Sequence, residues 1–140
     1  MQINPYLIFN GTCRDAFQTY AKVLGGTLQV HTYGDIPPGA GQDDGPKQPP
    51  DNVMHAQLEA HGAVLMGSDG PEGDGPKDAV WVSLSITAVE EAERVFNELT
   101  EGGTVVMPIG ETFWAQRFGM LKDRFGVSWM VNCESQKSEG

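Results

Sequence analysis

Tyr6-Leu7-Ile8-Phe9, Thr12-Cys13-Arg14-Asp15 and Gly25-Gly26-Thr27 return downstream as Val82-Ser83-Leu84-Ser85-Ile86, Thr87-Ala88-Val89-Glu90 and Gly102-Gly103-Thr104. The offset is about 76 residues, carried also by Ala16 with Ala92, Tyr20 with Phe96 and Val23 with Leu99, and self-similarity of this kind decides architecture before any residue chemistry is read. Both copies read as strand, capped helix, then further strands. In the first, Tyr6 to Phe9 is β-prone, and Thr12 followed three positions later by Asp15 has the form of a capping box. Cys13, Ala16, Phe17, Tyr20, Val23 and Leu24 then recur at helical spacing until Gly25-Gly26 stops the helix.

Beyond the glycines, Thr27 to Tyr33 alternates as a strand, Val53 to Ala60 as another, and His61-Gly62 is a two-residue hairpin turn into the strand Ala63 to Met66. The first copy is therefore β-α-β-β-β. Gly34 to Asn52 carries Pro37, Pro38, Pro46, Pro49 and Pro50 among four glycines without an aromatic anchor, and is expected to be a lid or a mobile insert. Gly67 to Asp78 is turn chemistry throughout, which sets module one at 1–67 and a linker at 68–79. Module two, 80–134, predicts a strand at Val80 to Ile86 and a helix at Val89 to Glu101 capped by Thr87 and Glu90. Its further strands are expected at Thr104 to Ile109, Thr112 to Met120 and Val127 to Asn132, ahead of a polar tail at 135–140. The fold class is α+β: paired βαβββ modules whose curved mixed sheets bury a helix on one side and leave the other side to line a cleft. Leu7, Phe9 and Trp81 are expected on the cleft side.

At 140 residues the chain fits one domain. A net charge of −10 without a Lys/Arg cluster argues against nucleic acid or an anionic membrane as partner. No apolar run approaches the roughly 20 residues that span a bilayer, and Met1 to Pro5 lacks the features of a signal peptide, so a cytoplasmic location is expected. Cys13 and Cys133 are too few for a disulfide framework and are expected to be reduced.

Asn4-Pro5-Tyr6-Leu7-Ile8-Phe9-Asn10-Gly11-Thr12-Cys13-Arg14-Asp15-Ala16-Phe17, the run Glu111 to Gly119, and Asp123-Arg124-Phe125-Gly126-Val127-Ser128-Trp129-Met130-Val131-Asn132 resemble the PhnB-like family. That family belongs to the glyoxalase/bleomycin-resistance/extradiol-dioxygenase group, the vicinal oxygen chelate superfamily. The resemblance implies a homodimer and a cleft on concave sheets. It also brings the name of a ubiquinone-pathway methyltransferase, but no Gly-x-Gly-x-Gly lies between a strand and a helix to hold a nucleotide-like methyl donor. Metal enzymes of the superfamily place one ligand on the first and one on the last strand of each module. Those slots fall on Pro5, Met66, Trp81 and Met130, none of them a ligand for a hard divalent ion, so neither metal nor cofactor is expected.

His55, Gln57 and Glu59 share one face of a strand; His55 and Glu59 could serve as acid and base in a lyase or isomerase, or in a displaced metal site, while a solvated sheet face explains the same alternation. The expected ligand-binding set is Phe9, His55, Gln57, Met66, Trp81, Ser83, Trp114, Phe118 and Met130, although aromatic and methionine side chains fill cores as readily as pockets. Arg117 offers a charge for an anionic ligand or for a surface carboxylate. Cys13 is read as a buried small side chain, and Asp123-Arg124-Phe125-Gly126 as a hairpin. The expectation is a module that binds an unidentified small organic molecule without a metal. A structural dimer with a filled cleft is the other alternative.

Overall fold

The structure, a computed structural model, describes residues 1–36, 48–75, 77 and 79–134. The chain divides into two compact units, Met1–Gly75 and Pro76–Gly140. In the first, β1 (Tyr6–Phe9) leads to α1 (Cys13–Leu24), β2 (Thr27–Thr32), β3 (Val53–Ala60) and β4 (Ala63–Asp69). The second repeats the order with β5 (Trp81–Ser85), α2 (Val89–Thr100), β6 (Thr104–Gly110), β7 (Ala115–Lys122) and β8 (Ser128–Glu134). Each unit is a four-stranded sheet, β1-β4-β3-β2 and β5-β8-β7-β6, with the first and last strands of the module parallel and the other pairs antiparallel. This is the βαβββ repeat expected from the sequence, and the sheet is mixed because the fourth strand returns beside the first.

The helices are amphipathic as their spacing predicts. Ala16, Phe17, Tyr20 and Val23 of α1, and Ala92, Val95, Phe96 and Leu99 of α2, are buried against their sheets. Gly67 and Gly119 allow the close approach: a Cβ at either would stand 2.6 Å from the ring of Phe17 or Phe96 respectively. The hairpin at His61-Gly62 has positive φ at both residues, 53° and 78°, as a two-residue turn with the native strand twist requires.

Several local expectations are corrected. Thr12 and Thr87 form no capping box: neither helix has a side-chain cap at its N-cap residue, which is Thr12 in α1 and Ala88 in α2. Gly67 to Asp69 is strand rather than turn, because Leu7, Ile8 and Phe9 supply partners for Gly67, Ser68 and Asp69. Thr112 to Trp114 is a turn ahead of β7, closed by the Thr112 N–H donating to the Ala115 carbonyl at 3.0 Å and the Ala115 N–H donating to Thr112 Oγ1 at 3.1 Å. Leu7 and Phe9 lie on the helix side, where Phe9 is 1% exposed and meets Phe17 edge-on at 6.2 Å. Short strands with apolar residues on both faces do not reveal which face is buried.

The expected insert at 34–52 falls mainly on residues outside those described, as does the expected frayed tail at 135–140. Its described ends are joined, with the Tyr33 N–H donating to the Asn52 carbonyl at 3.0 Å and the Gly34 N–H to the Pro50 carbonyl at 2.9 Å. Among the described residues, no helix is long and apolar enough to cross a membrane.

Candidate functional site

The side of each sheet away from its helix carries the candidate chemistry, and the two units differ there. In the first unit, Ala56, Leu58, Leu65 and Gly67 face α1, so alternation turns His55, Gln57, Glu59, Val64 and Met66 the other way. Tyr6, opposite Met66, joins them and brings its hydroxyl within 3.4 Å of His55 Nδ1. The Gln57 amide donates to Glu59 Oε1 at 3.1 Å. His55 and Glu59 thus share a face but have different partners. Four residues along a strand separate them by about 13 Å of backbone, which is too far for both to act on one proton directly. A depression of about 540 Å³ adjoins this face, lined by Gln57, Glu59 and Met66 together with Gln2, Asn4, Thr27 and His61. His55 is outside that lining.

In the second unit, Trp129, Val131 and Cys133 are fully buried on the helix side, and the intervening Met130 and Asn132 face the other way. Register places Ser83 beside Met130 and Ser85 beside Asn132, with Trp81 on the same face next to Ser128. From the other flank, Met120 lies beside Met130 and Phe118 beside Asn132. Trp114 packs edge-on to Phe118 at 5.4 Å and to Phe113 at 4.9 Å. Five predicted ligand-binding residues, Trp81, Ser83, Trp114, Phe118 and Met130, are therefore assembled on one sheet face. Phe113 and Trp114 are 96% and 47% exposed, so this aromatic cluster is not closed core.

Asn132 was missed by sequence reasoning. Its Oδ1 is buried and has no hydrogen-bond partner among the described residues. An orphaned buried acceptor costs about 1–3 kcal/mol, so its retention calls for a reason. The available signal was an amide inside the apolar run Trp129-Met130-Val131-Asn132-Cys133. Arg117 is accounted for without a ligand: Nε donates to Glu93 Oε2 at 3.0 Å and Nη1 to the Gln116 carbonyl at 2.6 Å.

Two buried carboxylates organise the units. Asp69 Oδ1 accepts from the N–H groups of Gly11 and Cys13 at 2.8 and 3.0 Å, and Oδ2 accepts from the Val53 N–H at 2.8 Å. It thereby serves, from β4, the helix end that Thr12 leaves uncapped. Asp123 Oδ1 accepts from the N–H groups of Phe125 and Val127 at 2.9 and 3.0 Å, and Oδ2 from Trp129 Nε1 at 2.8 Å, confirming the hairpin role of its turn. His61 Nε2 lies 2.8 Å from the Leu24 carbonyl and therefore carries the proton, tying the hairpin to the end of α1. Cys13 is fully buried, and burial, followed by the Asp69 carboxylate, pushes its thiol up to about 12, which disfavours the thiolate that nucleophilic chemistry needs.

A family model described as 3-demethylubiquinone-9 3-methyltransferase matches residues 1–132. The chain belongs to this family. The chain is 37% identical over 145 residues to Protein YjdN of Escherichia coli (strain K12), with 98% of each chain covered. A Pseudomonas aeruginosa protein of known crystal structure matches it with a TM-score of 0.84 at 48% identity, covering 96% of this chain and 98% of that one. A glyoxalase/bleomycin resistance protein from Albidiferax ferrireducens T118 shares the fold, with a TM-score of 0.62 at 13% identity over 96% of this chain and 99% of that one.

The resemblance implies a metal, and the residues in its four ligand slots do not fit one. Met66 and Met130 face away from the helices and offer thioethers, Trp81 offers no lone-pair donor, and Pro5 offers a carbonyl that already accepts from the Met66 N–H at 3.2 Å. Among the described residues, no three His, Cys, Asp or Glu side chains group together as a metal site.

Proposed function

We propose that this PhnB-like protein binds a small, ring-containing organic molecule on the open face of its second sheet, without a metal. The observation that carries this reading is the aromatic group Phe113, Trp114 and Phe118, exposed to different degrees, on the face that also holds Trp81 and Met130. Aromatic rings and thioethers give a flat, polarizable surface suited to stacking, and each stacked pair adds about 0.5–1.5 kcal/mol beyond area burial. The family description names methyl transfer to 3-demethylubiquinone-9, but the turns that enter α1 and α2 lack a glycine-rich nucleotide cradle, so binding is the better-supported role.

A thermal-shift panel of bicyclic aromatic compounds tests the reading. At least one compound raises Tm by several degrees in the wild type, the rise is lost in Trp114→Ala, and purified protein carries no stoichiometric Zn, Ni, Fe or Mn. One tightly held metal per chain that is lost in His55→Ala, with ligand shifts indifferent to Trp114, would replace this reading by a lyase or isomerase using His55 and Glu59.

We further infer a two-fold homodimer in solution. The family resemblance supports it, as does the edge strand β6, where Val105, Val106 and Met107 are 43%, 53% and 37% exposed. Light scattering should report a mass near twice 15.1 kDa at micromolar concentration; a stable monomer would contradict the inference.

A further inference from the structure

We propose that Asn132 is the polar anchor of the second-sheet site, so that the ligand is an aromatic molecule bearing a hydroxyl or N–H donor on or next to its ring. The inference rests on the aromatic-binding reading above. Its own observation is separate: Asn132 Oδ1 is buried without a partner among the described residues, while the backbone of the same residue is satisfied, its carbonyl accepting from the Ile86 N–H at 2.8 Å. Only the side chain of Asn132 is left wanting a donor.

Its placement decides what can supply that donor. Asn132 is directly opposite Phe118 on β7 and Ser85 on β5, and Phe118 leads edge-on to Trp114. A ring lying against Trp114 and Phe118 therefore borders Asn132, and a substituent donor on that ring reaches Oδ1 once the amide turns out of its shielded position toward that ring. Apolar pockets fix orientation and selectivity through a few such polar groups. A site built to receive a hydroxyl or N–H discriminates against the analogue lacking it, because binding that analogue leaves the buried acceptor unpaired. The site thus selects phenol-like or indole-like rings over their methylated or unsubstituted counterparts.

Equilibrium dialysis with 2-naphthol, 2-methoxynaphthalene and naphthalene tests the assignment in the wild type, in the near-isosteric Asn132→Leu, and in Asn132→Ala should the leucine variant not fold. The expected result is binding of 2-naphthol about tenfold or more tighter than of the other two compounds. In the variant that advantage disappears while naphthalene is still bound. Equal affinity for all three compounds overturns the anchor role but leaves the aromatic face standing. A naphthol advantage that survives in the variant likewise overturns it, assigning the selection to another acceptor or a bound water. Failure of all three to bind the wild type overturns both the anchor and the aromatic-binding reading.

Discussion

The two sheets are built from one repeated run of elements and diverge on the side away from their helices. The first presents His55, Gln57 and Glu59 beside Tyr6 and a depression lined largely by amide, hydroxyl and carboxylate groups. The second presents Trp81, Met120, Met130 and Phe118, with Trp114 packed on Phe118. On the helix side the copies still match: Ala16 and Ala92 are both 0% exposed, Tyr20 and Phe96 are 0% and 4%, and Val23 and Leu99 are 3% and 2%. Close packing against a helix tolerates few changes of volume, so that side keeps the memory of the repeat. The open side is constrained only by what it must meet, and there the same scaffold has acquired opposite chemistries.

The largest effect that can test this comparison comes from the buried carboxylates, which stabilise the two copies from different places. Asp69 joins the start of α1 to the start of β3, whereas Asp123 closes the β7–β8 turn over Trp129. Asp69→Ala removes the acceptor from three N–H groups, two of them in buried hydrogen bonds, and should lower unfolding free energy by about 3–5 kcal/mol in urea denaturation. Thr12→Ala should cost under about 0.5 kcal/mol, less than a working N-cap, whose loss costs about 0.5–2 kcal/mol. A larger loss from Thr12 than from Asp69 would restore the local capping box and remove the long-range cap from the account.

That contrast also shows what could be read from the sequence. The helix periods, the glycine stops, the His61-Gly62 turn and the strands, apart from the end of β4 and the start of β7, are local and appear in the fold as expected. The cap of α1 is not local: Asp69 lies 56 residues from Cys13 and reaches it only because β4 pairs parallel with β1. The same pairing sends Phe9 to the helix side, which no pattern of four residues could reveal. Most of the second-sheet face was legible because Trp81, Ser83, Trp114, Phe118 and Met130 stand out chemically. Asn132 did not stand out, since an amide in a strand signals a site only once its burial and lack of a partner are known.

The smallest effect concerns the two thiols, Cys13 in the first unit and Cys133 in the second, both buried and free. Burial first and the Asp69 carboxylate second raise the Cys13 thiol from 9.0 to about 12. A folded-state value above the unfolded one favours the folded protein while the thiol is protonated. The contribution is therefore complete below about pH 9 and is lost as pH rises from there towards 12. At neutral pH, Cys13→Ala should accordingly leave the pH dependence of stability unchanged. Above pH 9 the wild type should lose Tm more steeply than the variant, because only its thiol pays the cost of ionising inside the fold. The Cys133 Sγ–H donates to the Thr87 carbonyl at 3.5 Å, whereas the Cys13 N–H donates to Asp69. Thermal melts from pH 7 to 10.5 check the difference, alongside a thiol reagent that should label Cys13 only after denaturant is added. Rapid labelling of folded Cys13 at pH 8, or equal alkaline slopes in wild type and Cys13→Ala, would show that Asp69 and the core of α1 do not hold that thiol as described.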